Sequence, residues 1–443
     1  MTMTMSAAEF KQFSFGGQRV VLDVRRCRLH RVDEVASRLL SAFREVGTRR
    51  RHILARVQRQ APAAEVKSAL AELEKVGLVH RAQVSVPHLK SPKPQGVSAI
   101  CLHVTHNCNL RCKYCYGDGG SYGSPGEVMS PETAKSATEF LFDQLRRYGR
   151  PKGNISLFGG EPLLRWGFLR MLIPLVRQRA REEKKGIGLS VFTNATLLSG
   201  SRARFLHRYR VRVNVSLDGP ARVHDRKRVH TDGSGSYGQV RRGIELLRRE
   251  RIPFSIRATL DPVRPELTAV VNHALRLGAR GVHAELASGV LGRSSQLSAR
   301  AVVRATREYR LFTDYYIRMM RRRQTLVPYH GYVRFLDALQ NSRRKFYGCG
   351  MGREYVAIAP QGDIYPCHRL VGQQGYLLGN LRTGLSGRGR SLLRGLHAEG
   401  RRGCSTCWAR YLCGGGCYYE AVLANGGLEH PSPAHCRLMR ETI

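Results

Sequence analysis

From Ala99 onward the chain alternates short apolar runs with longer stretches that repeat apolar residues every three or four positions. The short runs Ala99–Val104, Asn154–Phe158, Gly188–Thr193, Arg212–Leu217, Phe254–Thr259 and Gly281–Leu286 read as strands. Between them, Pro131–Tyr148, Arg165–Lys184, Ser201–Arg208, Tyr237–Arg249 and Pro265–Leu277 read as helices. Repeated β-α units predict an α/β fold with a parallel sheet and right-handed crossovers.

Upstream the pattern differs. Phe10–Phe15, Arg19–Asp23 and Cys27–Arg31 predict three short strands. They are followed by helices over Val32–Phe43, Arg49–Gln58 and Pro62–Val76, the last closed by Gly77. This order suits a winged-helix-like module within residues 1–90. His88–Gln95, with two prolines among polar residues, reads as a linker. The repeated units then occupy 96–326, of which Ala287–Leu326 is a connector carrying a helix over about Arg300–Arg323. Residues 327–443 form the third part.

In barrels of β-α units, chemistry sits at the C-terminal ends of the strands. Each predicted strand ends in polar residues. The first runs into His106-Asn107-Cys108-Asn109-Leu110-Arg111-Cys112-Lys113-Tyr114-Cys115. The second ends in Gly159-Gly160-Glu161-Pro162, the third in Thr193-Asn194, and the fourth in Ser216-Leu217-Asp218-Gly219-Pro220. Arg257 and Thr259 mark the fifth end and Glu285 the sixth.

The chain has 12 cysteines, which in a reducing compartment argue for metal ligation over disulfides. Three of them make a Cys-x3-Cys-x2-Cys loop, one thiol short of the usual cluster set, so the fourth iron of a cubane would stay open to a substrate. Cys349, Cys367, Cys404, Cys407, Cys413, Cys417 and Cys436 lie in the third part, with Gly414-Gly415-Gly416 filling the last gap of Cys-x2-Cys-x5-Cys-x3-Cys. On spacing alone these could equally hold a pair of zinc ions.

Cys108, Cys112 and Cys115, with Tyr114 before the last, resemble the signature of radical SAM enzymes. The resemblance implies a partial (β/α)6 barrel whose open iron chelates S-adenosylmethionine and reduces it to a 5′-deoxyadenosyl radical. Gly160 and Glu161 would then contact its amino group, and Asn194 and Ser216 its ribose and carboxylate. Arg228 would neutralise the carboxylate. Asp218 and Glu285 are the candidate catalytic groups, Glu285 as a proton acceptor. The C-terminal cysteines resemble the SPASM domain, an iron–sulfur cluster domain. That resemblance implies Cys404, Cys407, Cys413 and Cys436 on one auxiliary cluster and Cys349, Cys367 and Cys417 on another, making three 4Fe–4S clusters in all. Cys27 and Cys101 remain as packing residues.

The N-terminal module, with "VVLDVRRCRLHRVDEVASRLL", resembles a RiPP recognition element. Such modules take the leader of a ribosomally made peptide as an added strand. Arg25, Arg26, Arg28 and Arg31 would meet acidic leader residues. The stretch Tyr365–Gly372 resembles maturases that form thioethers, of the six-cysteine-peptide or quinohemoprotein amine dehydrogenase type. The expected activity is therefore an intrapeptide sulfur-to-carbon crosslink in a cysteine-containing precursor peptide or small subunit. The electron donor would be a flavodoxin or ferredoxin. Two alternatives are peptide oxidation of the anaerobic sulfatase-maturase kind and radical modification of RNA. A third is a non-catalytic, zinc-stabilised binding protein.

Composition changes this picture little. A formal charge of +41 makes nucleic acid the default partner. The basic residues are spread over every region, however, and an acidic peptide would exploit them equally. No run approaches the roughly 18 apolar residues of a membrane span, and Met1–Phe15 lacks the pattern of a signal peptide. A cytoplasmic location is expected.

Overall fold

The computed structural model describes residues 6–45, 49–80, 96–291 and 297–443, leaving aside the side chains of 388 and 390. The expected linker His88–Gln95 lies outside the described residues.

The N-terminal unit opens with β1 (Ser6–Ala7), β2 (Phe10–Phe15), β3 (Gln18–Asp23) and β4 (Arg28–Val32). The helices α1 (Glu34–Glu45), α2 (Arg50–Gln58) and α3 (Ala63–Lys75) follow, and β5 (Val79–His80) closes it. Strands β2, β3 and β4 form an antiparallel sheet with β4 at one edge. Val21 of β3 packs with Leu39 and Leu40 of α1 and Leu70 and Leu73 of α3. Of the four arginines expected to face a leader, three already have partners. Arg25 pairs with Glu9, Arg26 with Asp23, and Arg28 hydrogen-bonds Ser342 Oγ. Among the described residues no ion pair involves Arg31.

The second part alternates β6 (Ala99–Thr105), α4 (Pro131–Arg147), β7 (Lys152–Gly159), α5 (Trp166–Glu182) and β8 (Gly186–Thr193). It continues through α6 (Gly200–Arg208), β9 (Val211–Ser216), α7 (Ala221–His224), α8 (Tyr237–Arg249), β10 (Phe254–Leu260), α9 (Leu267–Arg276) and β11 (Val282–Leu286). The long helix α10 (Ala299–Arg323) comes next, then α11 (His330–Gln340). Strands β6 to β11 are parallel, each beside its predecessor. Period-two alternation decides what each face does. Ile155, Leu157, Leu189, Val191, Val213 and Val215 are buried in the main core with Leu141, Leu169, Ile173, Leu206 and Ile244 of the helices. On the other face, Phe158, Phe192, Ser216, Arg257, Thr259 and Glu285 line a single cavity, so the sheet curls around that face.

The sequence-level boundary at 327 does not divide sheets. In the C-terminal part β12 (Tyr355–Ile358) adds to β6 in parallel. Then β13 (Asp363–Tyr365), β14 (Gly379–Asn380) and β15 (Gly384–Leu385) extend the same sheet antiparallel, to ten strands. These runs are too short to give a strand period; β12 is held by pairing with β6, and β13 to β15 each by the strand before. The chain ends in α12 (Gly387–Leu392), α13 (Arg410–Cys413), α14 (Tyr418–Asn425) and α15 (Pro433–Thr442). No described helix is long and apolar enough to cross a membrane.

The N-terminal unit docks on this last part. Leu22, Val24 and Cys27 pack with Phe335, Tyr411, Leu412 and Met439. Phe13 meets Trp408 edge-on at 5.4 Å, and Glu9 pairs with Arg410. Cys27 and Cys101 are each 1% exposed, within apolar clusters.

Candidate active site

The cysteine loop leaves β6 and lies directly on the end of β7. Gly160 N–H donates to Thr105 O at 2.9 Å and Glu161 N–H to Asn107 O at 2.8 Å. A Cβ on Gly160 would stand 2.0 Å from Asn107 O, and one on Gly159, at φ +114°, 2.4 Å from Thr105 O. The two glycines are therefore required by the close approach of the cysteine loop's own backbone.

Glu161 is 1% exposed. Its Oε1 accepts from Leu163 N at 2.9 Å and Thr193 Oγ1 at 2.8 Å, and its Oε2 from Asn194 N at 2.7 Å. Burial raises its pKa, and these donors oppose the rise. The carboxylate is thus a staple across β7 and β8, with three of its acceptor positions filled from within the chain. Asn194 Nδ2 donates to Asn109 Oδ1 at 2.9 Å, tying β8 to the cysteine loop.

Asp218 is the second staple. It is 3% exposed and is not among the cavity-lining residues. Its Oδ1 accepts from Thr259 N at 2.9 Å; its Oδ2 accepts from Arg228 Nε at 3.2 Å and from the Tyr114 hydroxyl. Its own N–H donates to His224 Nδ1 at 3.3 Å, and His224 Nε2 meets Ser236 Oγ at 3.0 Å. A carboxylate so engaged positions Arg228, Tyr114 and the end of β10. Through it, Arg228 is held against the loop, with its NH1 3.8 Å from Cys112 Sγ.

The remaining predicted residues converge. Cys108, Cys112, Tyr114, Cys115, Gly160, Glu161, Asn194, Ser216, Arg228 and Glu285 all border one cavity. Glu285 is half exposed into it. Arg257 NH1 approaches His283 Nδ1 at 2.6 Å, and a guanidinium can only donate. His283 Nδ1 is therefore the acceptor, and its Nε2–H donates to Glu285 Oε1 at 2.8 Å. Burial works against the Glu285 charge, but this hydrogen bond and Arg257 outweigh it and hold its pKa well below the usual carboxylate range. So low a pKa makes it a weak base at neutral pH.

The thiols that act on Cys108, on Cys404 and on Cys367 make three groups. Burial pushes Cys108 up to about 12, with Glu161, Cys112 and Cys115 adding to it. Burial likewise takes Cys404 to about 11, with Cys436, Cys413 and Cys407 contributing. Cys367 is raised by burial, then by Cys349 and Cys417. Among the described residues no three His, Cys, Asp or Glu side chains converge as a single metal ion would need.

The second and third groups meet at a strap of three consecutive left-handed glycines, Gly414, Gly415 and Gly416. A Cβ on Gly414 would stand 2.2 Å from Tyr347 O, so only glycine lets the strap close. Arg369 divides the main cavity from a neighbouring one that Cys417 borders. It lies over Tyr116 and Tyr419 at 5.2 and 4.6 Å, donates to Ser288 Oγ at 2.8 Å and faces Glu420 at 3.8 Å. The sequence reading gave Arg369 no role, although its place two residues after Cys367 could have marked it.

Residues 102–266 match the profile of the radical SAM superfamily. This region is a radical SAM domain. Similar proteins include the radical SAM cyclopropyl synthase TigE of Paramaledivibacter caminithermalis. It is 29% identical over 37% of this chain and 36% of its own length. The serine-type anaerobic sulfatase-maturating enzyme of Klebsiella aerogenes is 26% identical over 76% of this chain and 83% of its own. The chain spans little more than a third of the cyclopropyl synthase. Among solved structures, native anSMEcpe with bound AdoMet superposes with a TM-score of 0.66 at 19% identity, covering 78% of this chain and 95% of that one. SuiB of Streptococcus suis bound to S-adenosylmethionine gives 0.52 at 16% identity, over 97% and 99%.

A radical SAM domain takes a 4Fe–4S cluster and S-adenosylmethionine. The residues present fit both: a close-packed loop presents three thiols at the rim of a cavity. Arg228 lies against that loop and borders the same cavity.

Proposed function

We propose that this chain is a radical SAM peptide maturase that forms cysteine sulfur-to-carbon thioethers within a ribosomally made peptide or small subunit. The observation that carries the reading is the arrangement of thiols around one cavity. Cys108, Cys112 and Cys115 border it, and the group Cys349, Cys367 and Cys417 lies just behind Arg369. Bound there, a 4Fe–4S cluster on the first group supplies the electron that turns S-adenosylmethionine into a hydrogen-abstracting radical. Arg228 binds the methionine carboxylate, while Asp218 and Tyr114 hold Arg228 in place. Glu161 and Asn194 keep the cysteine loop on the ends of β7 and β8.

Overall, one S–H and one C–H bond give way to one S–C bond. One hydrogen atom leaves on deoxyadenosine. The thiol proton and one electron remain; clusters held by Cys404, Cys407, Cys413 and Cys436 and by Cys349, Cys367 and Cys417 would supply a sink for that electron, with a ferredoxin- or flavodoxin-like partner as its final acceptor. A cysteine of the peptide would approach the three-thiol auxiliary group, which has no fourth cysteine.

A peptide substrate accords with what two fold neighbours bind. SuiB has been solved bound to the precursor peptide SuiA, and anSMEcpe with the Cp18Cys peptide. SuiB covers the N-terminal unit as well. In that unit β4 ends its sheet and exposes Arg28, Leu29 and Arg31, an edge suited to an added leader strand.

The test is anaerobic incubation with a cysteine-containing precursor peptide, S-adenosylmethionine and reductant. The product should lose two hydrogens per bridge, and the bridged thiol should resist alkylation after reduction. Cys108→Ala should bring deoxyadenosine to background. Wild-type protein that holds iron yet forms no deoxyadenosine would end the reading. The long alignment with the sulfatase-maturating enzyme favours peptide oxidation as a second reading. It predicts a carbonyl that reacts with a hydrazide, and no bridge.

A further inference from the structure

Arg401 is 2% exposed, the largest of the fully buried side chains. Its NH1 donates to Gly415 O, while its Nε and NH2 have no hydrogen-bond partner. Among the described residues no carboxylate forms an ion pair with it. A buried guanidinium without an anion costs several kcal/mol, so a chain that folds this way must meet its charge with something else.

Where Arg401 lies indicates what that is. The N–H of Cys404 donates to Arg401 O at 3.1 Å, which puts the side chain one turn ahead of the Cys-x2-Cys pair. Its Cδ would lie 3.4 Å from a Cβ on Gly415, inside the strap between Cys413 and Cys417, and its guanidinium lies 4.9 Å from the Tyr418 ring.

We infer that Arg401 is the buried counter-cation of the cluster on Cys404, Cys407, Cys413 and Cys436, its two free N–H groups donating to that cluster's sulfurs. This rests on the cluster reading above and adds a direction to it. Reduction adds a negative charge, and a desolvated cation donating to the sulfurs favours the reduced state. The three-thiol group has Arg369, already engaged by Glu420 and Ser288, and Arg353, whose NH1 has no hydrogen-bond partner.

The test uses the full chain, reconstituted anaerobically, with iron and sulfide assayed and reduced-cluster signals followed by EPR during redox titration. Arg401→Met should lower the midpoint of one auxiliary signal by a tenfold change in its one-electron equilibrium, about 59 mV. Iron content and the other signals should not change. Arg401→Lys keeps the charge without the planar fork and should recover part of the shift. If Arg401→Met does not load iron, wild-type protein with 15N-labelled arginine decides. Nitrogen coupling to an auxiliary signal, absent in Arg401→Lys, supports the assignment. Loaded protein with an unmoved midpoint overturns the inference alone, as does coupling only to exchangeable water protons. Protein that binds no auxiliary cluster overturns the reading beneath it.

Discussion

The two cysteine regions solve the problem of buried charge in opposite ways. Around Cys108–Cys115 the chain balances its own charges: Arg228 is matched by Asp218, and Glu161 is met by three donors. The orphaned polar groups there are imidazoles, His103 and His106, both neutral because burial lowers their pKa. Around Cys404–Cys417 the orphan is the guanidinium of Arg401, which no carboxylate pairs among the described residues. Arg353, near Cys349, adds another. A site that is complete before its cofactor arrives can fold first. A site that leaves cations unmatched needs its anionic cofactor in order to fold.

Iron removal gives the largest effect and the plainest way to break this contrast. In chelated protein, amides of 404–420 should exchange at open-chain rates while β6 to β9 keep their protection, as read by hydrogen-exchange mass spectrometry. Equal loss in both regions would end the comparison.

Next in size is Asp218→Ala. It strands the buried Arg228 and should cost about 3 kcal/mol, seen as a lower melting temperature of iron-free protein and weaker S-adenosylmethionine binding. Glu420→Ala, beside the more loosely paired Arg369, should cost less.

Acid sharpens the contrast from the barrel side. His106, His224 and His368 sit with pKa values lowered from 6.5 by burial, to about 4, about 2 and about 3. Below pH 6.5 the unfolded chain takes up protons that the folded chain refuses. Stability is therefore complete above 6.5 and falls as pH drops, by up to about 1.4 kcal/mol per unit for each histidine. Denaturant melts of iron-free protein between pH 7 and 5 should show this slope, and Tyr or Phe at His368 should reduce it.

The smallest effect is at the docking face. Phe13→Ala removes the edge-on contact with Trp408 and should cost about 1 kcal/mol. Its mark is faster exchange in β2 to β4, with the barrel unchanged.

The six barrel strands and their polar ends were legible in the sequence because each strand is long enough to show alternation, and a parallel β-α repeat places every C-terminal end on one rim. The cysteine spacing alone marked all ten candidate ligands. Their division into three, four and three came from the family resemblance and not from the spacing. Strands β12 to β15 were not legible. Two to four residues carry no period, and their strand character starts from the pairing of β12 with β6, more than 250 residues away in sequence, on which β13 to β15 add in turn.

The sequence by itself determined which residues carry chemistry and at which strand ends they sit. Only the tertiary structure decided what each charge does. Asp218 and Glu161 became staples, because burial forced their oxygens onto donors of the chain. Glu285 was held ionised, because His283 and Arg257 reach it from adjacent positions across two strands. Arg401 was left without an anion, because the glycine strap closes over it. Pairing and desolvation depend on distances between segments far apart in the chain, and no local pattern of residues records those distances.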